Sequence, residues 1–157
     1  CASRKRVWQP TSTPASRSEG QRMSTQIFVN LPVRDLSASK AFFNALGYAT
    51  NPSFTNDEAA CLVISDSIYV MLLVEPFFLG FTRKSLCDAR THTEVLLCLS
   101  VASRSEVDAM VAKALSAGGR EPMEAKDYGF MYQRGFEDLD GHLWEVVHMD
   151  EGGPPAE

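Results

Sequence analysis

One order of apolar and polar segments occurs twice in this chain, and the repetition limits the possible folds more than any other feature. The first copy opens with an apolar strand pattern at 26–33. A helical pattern follows at 34–47, with Asp35 or Ser37 available as N-cap and Gly47 placed to end the helix. Three further strand patterns complete the copy, at 48–55, 59–65 and 67–75.

The second copy has the same order of segments. Its first strand pattern is at 94–101, and Ser103 with Glu106 forms a possible capping box for the helix that follows. The rest is a loop with a short strand at 120–129 and two strand patterns at 130–137 and 142–149. Two β-α-β-β-β units, neither of which covers its own sheet, predict a paired fold with helices on one sheet face.

The pattern divides the chain into five stretches of different character. They are a basic leader at 1–22 that we expect to be disordered, a first module at 23–75, a linker at 76–93, a second module at 94–150, and a disordered tail at 151–157. The leader has five basic residues and one acidic residue, so a chain of net charge −5 carries −9 on residues 23–157. This acidic balance argues against a nucleic-acid partner, since such binding neutralises phosphates.

Apolar runs and cysteine spacing indicate a cytoplasmic protein. No apolar run reaches the roughly 20 residues that a membrane-spanning helix needs, so we expect no membrane partner. The four cysteines, Cys1, Cys61, Cys87 and Cys98, show no CxxC spacing, which argues against a zinc site. Cys61 and Cys98 lie in apolar strand patterns, as buried free thiols in a reducing compartment do.

The last strand pattern contains a carboxylate on an otherwise apolar face. Alternation places Glu145 on the same side as Leu143, Val147 and Met149. Burying an unpaired charge costs several kcal/mol. Either this face lines a space that a ligand or water enters, or Glu145 is paired with a nearby Arg or Tyr.

The doubled order, the segment VRDLSASKAFFNALGY and the segment FEDLDGHLWEVV together resemble the vicinal oxygen chelate superfamily, which includes glyoxalase I, bleomycin resistance proteins and extradiol dioxygenases. The resemblance covers about residues 26–149. It implies an α+β fold of two βαβββ modules, whose curled mixed sheets form an incomplete barrel around a cavity. A second chain often completes that cavity in the superfamily, so we expect a homodimer. Leu139 stands where the family commonly has proline, which should alter only the turn.

In metal-dependent members of this superfamily, the first and last strands of each module supply the metal ligands. The resemblance places these four positions at Phe28, Leu72, Leu96 and Glu145. A divalent ion needs several nitrogen, oxygen or sulfur donors, and three of the four residues offer none. Moving the alignment by one residue brings only other apolar residues. We therefore expect no metal and no cofactor.

The remaining candidates are side chains that alternation and the resemblance direct toward the cavity. The expected ligand-binding residues are Phe28, Asn30, Val70, Leu72, Leu96, Cys98, Tyr132 and Arg134, with Glu145 as the catalytic candidate. Asn30 could orient a ligand or bond a neighbouring strand. Arg134 could pair with Glu145, grip an anionic ligand, or be solvated. Cys98 is more typical of a small core residue than of a nucleophile.

For three further titratable residues we expect structural rather than functional roles. We expect Glu94 to lie at the exposed start of its strand. His142 and His148 share the face opposite Glu145, which argues against a metal pair with it, and His148 should pack against helices.

Three functions remain open at this point. The first is a metal-independent protein that binds and sequesters a small molecule, in the manner of bleomycin resistance proteins. The second is a glyoxalase-like lyase or isomerase, or a dioxygenase-related enzyme, that uses Glu145 as a base or metal ligand. The third is a non-catalytic interaction module with a filled core and an exposed apolar patch.

Overall fold

The computed structural model describes residues 24–154, which form two modules of the predicted order. The first module contains β1 (Ile27–Val33), α1 (Leu36–Ala45), β2 (Thr50–Asn51), β3 (Ala59–Val63) and β4 (Ile68–Val74). The second contains β5 (Leu96–Ser100), α3 (Arg104–Ser116), β6 (Lys126–Asp127), β7 (Met131–Glu137) and β8 (Leu143–Met149), and a short helix α2 (Glu75–Leu79) opens the linker. The expectations for the leader at 1–22 and for residues 155–157 of the tail fall outside the described residues.

Each module has its own open, mixed sheet, and this confirms the predicted α+β class and incomplete barrel. The strand orders are β1-β4-β3-β2 and β5-β8-β7-β6. In each sheet the first and last strands of the module are parallel neighbours, and the other pairs are antiparallel. Within the described range, the two sheets stay separate and neither closes into a barrel. None of the described helices is long and apolar enough to cross a membrane.

The helix ends follow from local hydrogen bonds that the sequence predicts. The Asp35 carboxylate accepts from the Ala38 amide at 2.9 Å and so caps α1. Gly47 takes a φ of +103° just past that helix, a conformation that side chains disfavour. The Ser103 hydroxyl accepts from the Glu106 amide at 3.2 Å, while the Glu106 carboxylate accepts from Ala102 rather than from Ser103.

The strand predicted at 48–55 is much shorter than expected. Only Thr50–Asn51 pairs with β3, and Pro52–Phe54 forms a 3₁₀ turn. The Asn51 side chain accepts from the Ser53 amide at 3.0 Å, and Pro52 has no amide hydrogen to continue a ladder. Local turn chemistry therefore overrides the strand pattern here.

The two modules share one apolar core, which lies between the helices and one face of each sheet. Its fully buried large side chains include Leu31, Phe42, Phe43, Leu62, Leu72, Val107, Val111, Phe136, Trp144 and Val146. Aromatic pairs cross the junction between modules, with ring centroids 5.1 Å apart for Phe43 and Trp144 and 6.0 Å for Phe42 and Phe136. The helix-covered faces are thus buried together, as the repeated pattern predicts.

The turn between β7 and β8 is a polar connection buried at this junction. Asp138, 7% exposed, accepts from the Trp144 indole and from the amides of Asp140 and His142, each at 3.0 Å. Asp140, 8% exposed, accepts from the Arg34 amide at 3.0 Å and from the Ser39 hydroxyl at 3.3 Å in the first module. Asp140 thus joins the second module to the first, while Asp138 holds the turn that carries it.

His142 completes the connection through both of its ring nitrogens. Its Nε2 lies 2.7 Å from the Pro32 carbonyl and its Nδ1 lies 2.5 Å from a Glu94 carboxylate oxygen. A carbonyl can only accept, and a carboxylate beside the other nitrogen favours a proton there too. Glu94 is exposed just before β5, as expected, and its carboxylate also contacts the buried His142 ring.

The pKa shifts at this junction have a common direction. Burial lowers the pKa of His142, but the charge of Asp138, the Pro32 carbonyl and Glu94 outweigh burial and raise it above its usual 6.5. Burial raises the pKa of Asp138 above its usual 3.8, against the opposing effect of His142 and Trp144. In both groups the folded state holds its proton more tightly than the unfolded chain does. Stability gained at low pH is therefore lost as pH rises through these raised values.

We expect the free energy of unfolding to fall as the pH rises above 6.5, through the folded-state pKa of His142. His142→Asn should flatten this dependence and cost about 1–3 kcal/mol at pH 6, because it removes a charged partner of Glu94. The measurement is urea unfolding between pH 5.5 and 9. His148→Asn, on the strand that begins just after His142, is the matched control and should keep the wild-type slope. An unchanged slope in His142→Asn would contradict the assignment.

Candidate functional site

Side-chain alternation divides each sheet into a helix-covered face and an open face. On the first sheet, Phe28 and Asn30 lie on the open face beside Tyr69 and Met71. On the second sheet the open face carries Leu96, Cys98, Gln133, Leu143 and Glu145. The open faces hold the side chains that a ligand can reach.

A small pocket lies on the open face of the second sheet, where β7 and β8 meet the loop before β6. It encloses about 100 Å³ and is lined by Leu96, Pro122, Met123, Glu124, Lys126, Gln133, Arg134, Gly135, Leu143, Trp144 and Glu145. Glu145, Leu96 and Arg134, three of the predicted residues, are therefore brought together at one pocket. Phe28 and Asn30 lie on the other sheet and do not line this pocket, so their role in ligand binding stays a prediction.

Glu145 is held by an amide rather than by a cation. The Gln133 side-chain nitrogen donates to Glu145 Oε1 at 2.6 Å. Within residues 24–154, Glu145 takes part in no ion pair. One carboxylate oxygen is thus fixed by Gln133, and the other is available to accept a hydrogen bond from a ligand.

Gly135 leaves the space in front of this carboxylate open. It lies opposite Glu145 in the antiparallel pairing of β7 with β8. A side chain at this position would bring its Cβ within 2.9 Å of the Trp144 carbonyl oxygen, which real Cβ atoms essentially never show. The close approach of the two backbones therefore favours glycine here. The space that a side chain would fill belongs to the pocket.

The expected positions of Val70 and Leu72 are wrong. Both lie in the shared core, 2% and 0% exposed, on the helix-covered face. The parallel register pairs Phe28 with Tyr69 and Asn30 with Met71, so the open face of β4 carries Tyr69 and Met71 instead. A one-residue error in strand register moves every side chain to the other face.

The side chains of Tyr132 and Arg134 point to the other face of β7 than expected, although Arg134 still contributes to the pocket lining. They share the helix-covered side of β7 with Phe136, opposite Gln133. Arg134 is bound by Asp108 at 2.8 Å and by Glu121 at 2.7 Å, and Tyr132 donates to the same Asp108 at 2.9 Å. Arg134 therefore does not pair with Glu145.

Gln133 is the site residue that the sequence interpretation missed. Its signal was available, because alternation along 130–137 places it opposite Tyr132 and Arg134 and hence on the side of Glu145. The sequence pattern favours Arg or Tyr as the partner of Glu145, whereas the structure shows the neutral amide of Gln133. The Glu94–His142 contact was harder to find, since it joins residues 48 positions apart across a junction.

The four metal positions implied by the superfamily do not fit a metal ion. With the register corrected, they are occupied by Phe28, Met71 or Leu73, Leu96 and Glu145. Only Glu145 supplies a hard donor, and a divalent ion needs several. Among residues 24–154, no group of three or more His, Cys, Asp or Glu side chains converges as a metal site would require.

Cys98 lies directly opposite Glu145 in the parallel pairing of β5 with β8. Partial burial raises the pKa of its thiol, and the charge of Glu145 raises it further. Cys98 is thus a poor nucleophile near neutral pH, although the residue is exposed.

We expect Glu145→Gln to lower the pKa of Cys98 and to speed its alkylation at pH 8 by about two- to threefold. The rate is measured by mass spectrometry on the peptide that contains Cys98. Glu124→Gln, which removes a carboxylate from the rim of the same pocket, is the control and should leave the rate unchanged. Equal effects of both substitutions would mean that Glu145 does not set the local field.

Comparison with known proteins gives one family match and many structural matches. The family model for the bleomycin resistance protein-like N-terminal region matches residues 25–65. A search of curated proteins by sequence finds no match. The hypothetical protein SA1046 from S. aureus is 30% identical with a TM-score of 0.69, over 82% of this chain and 96% of that one.

Two more distant structures show the same fold. A glyoxalase/bleomycin resistance protein/dioxygenase family enzyme from Burkholderia phytofirmans is 20% identical with a TM-score of 0.66, over 80% of this chain and 99% of that one. A bleomycin resistance determinant encoded on transposon Tn5 is 19% identical with a TM-score of 0.57, over 82% and 99%. With the paired βαβββ modules, these similarities show that the chain has the fold of the glyoxalase/bleomycin resistance proteins, and its residues 25–65 match the bleomycin resistance protein-like family model.

Proposed function

We propose that this chain is a small-molecule binding protein of the glyoxalase/bleomycin-resistance kind, which holds its ligand without a metal on the open face of the second sheet. The observation that carries the proposal is the apolar pocket containing Glu145, whose carboxylate is oriented by Gln133. Apolar walls with a few convergent polar groups are typical of ligand sites. The bleomycin resistance determinant of Tn5 shares the fold.

Catalysis has less support than binding. A lyase or isomerase of the glyoxalase kind needs either a metal, which the donor set at the four positions does not favour, or a second group to move a proton. Arg134 is engaged by two carboxylates, and the raised pKa of Cys98 keeps its thiol protonated near neutral pH. The pocket thus offers one carboxylate and one amide, which suffice for recognition.

We further propose that the functional unit is a homodimer. Apolar side chains on the two edge strands are exposed, including Ile27 at 54% and Phe28 at 46% on β1 and Leu96 at 56% on β5. Long apolar edge strands are ordinarily covered by a partner. The single-chain pocket, at about 100 Å³, is also smaller than the roughly 300–1,000 Å³ of sites for drug-sized ligands. A second copy covering these edges would enlarge it.

The pocket assignment is tested by filling it. We expect apolar fragments to perturb the Gly135 amide and the Gln133 side-chain amide in ¹H–¹⁵N spectra, equally before and after treatment with EDTA. Leu143→Trp should weaken fragment binding by about tenfold or more, because the indole occupies the pocket. Leu115→Trp, on the exposed side of α3, is the control and should bind as wild type does. Shift changes confined to other amides, or loss of binding after treatment with EDTA, would contradict the proposal.

The homodimer is tested by sedimentation at micromolar concentration. Ile27→Glu should dissociate it, because a charge would be buried on the covered edge of β1. Leu115→Glu introduces the same charge on α3, where Leu115 is 37% exposed, and should leave the dimer intact. A monomeric wild-type protein, or dissociation by Leu115→Glu alone, would show that the edge strands are not the interface.

A further inference from the structure

The chemical character of the ligand can be read from the charges around the pocket, on the premise that the pocket binds a small molecule as proposed above. Glu145 lies at its floor, only partly exposed, with one oxygen held by Gln133 and no cation paired to it within residues 24–154. An anion in such a place is costly to desolvate unless an opposite charge accompanies it.

The pocket walls offer Glu145 no other compensation. Leu96, Leu143, Pro122 and Met123 are apolar, and Gly135 contributes no side chain. A ligand that covers this surface strips water from the carboxylate without replacing the lost hydrogen bonds, unless it brings donors of its own.

The charged residues that border the pocket do not neutralise its floor. Arg134 is the nearest candidate, but its guanidinium is engaged by Asp108 at 2.8 Å and by Glu121 at 2.7 Å. Glu124 and Lys126 are exposed residues of opposite sign at the rim. Because both side chains are exposed to solvent, water screens their charges more strongly than that of the partly buried Glu145.

The size of the pocket limits what can reach the carboxylate. A space of about 100 Å³ accommodates a head group, not a whole drug-sized ligand. We infer that this pocket receives a positively charged nitrogen group, an ammonium, amidinium or guanidinium, whose N–H bonds donate to the free oxygen of Glu145 while the attached apolar part lies against Leu96, Leu143 and Met123. The ligand is therefore an organic cation with an apolar body. Gln133 acts as a positioning residue that keeps one oxygen turned toward it.

Three phenyl compounds of similar size and different charge test this inference. Benzylamine is a cation at pH 7, benzyl alcohol is neutral, and benzoate is an anion. Each is titrated into the ¹⁵N-labelled chain of 157 residues at low salt, and dissociation constants are taken from the shifts of the Gly135 amide and the Gln133 side-chain amide. We expect benzylamine to bind about tenfold more tightly than benzyl alcohol, with benzoate weakest, since a charge-assisted hydrogen bond supports a preference of that size.

Two matched variants locate the charge that is responsible. Glu145→Gln keeps the shape of the pocket and should bring benzylamine to the affinity of benzyl alcohol. Glu124→Gln removes a carboxylate from the rim and should retain the preference for benzylamine. Loss of the preference in Glu124→Gln rather than in Glu145→Gln would overturn the assignment to Glu145.

The remaining outcomes separate this inference from the proposed function. If benzyl alcohol or benzoate binds as tightly as benzylamine and shifts the same two amides, the pocket is a binding site but not one for cations, and only the inference fails. If none of the three probes shifts either amide, both the inference and the proposed binding function at this pocket fail.

Discussion

The buried polar junction between the two modules is the constraint on which the rest of this structure depends. Asp140 accepts hydrogen bonds from the first module, while the two ring nitrogens of His142 contact the Pro32 carbonyl of that module and the Glu94 carboxylate before β5. Asp138 in turn fixes the turn that carries both residues. Charged groups buried in this way hold only one arrangement, because displacing a partner leaves an uncompensated charge. The junction therefore sets how the two βαβββ units meet.

Once the modules meet in this way, their helix-covered faces merge into one core and their other faces stay open. Phe43 packs on Trp144 across the junction, and Trp144 also donates its indole hydrogen to Asp138. The next residue, Glu145, must then point away from the core. The strand that closes the core thus also presents the carboxylate to the pocket. One face of β8 therefore packs in the shared core, and its other face lines the candidate site.

Much of the fold was predictable because its signals are local. The caps at Asp35 and Ser103, the glycine after α1, and the alternation of β8 all depend on residues within a few positions of one another. The site was less predictable. Val70, Leu72, Tyr132 and Arg134 were placed on the wrong faces, because each placement depends on a strand register that a single residue shift reverses. Glu145 was placed correctly, since the apolar pattern around it is unambiguous.

The sequence by itself determined the two-module α+β architecture, the helix boundaries, and a carboxylate on the open face of the last strand. These features follow from periodicity and capping, which act over short distances along the chain. Only the tertiary structure decided that Gln133 would hold Glu145, that Arg134 would be engaged by Asp108 and Glu121, and that His142 would be buried against Pro32 and Glu94. The partner of a polar side chain depends on which segments pack together and in what register, and that is settled only when the two modules close on their shared core.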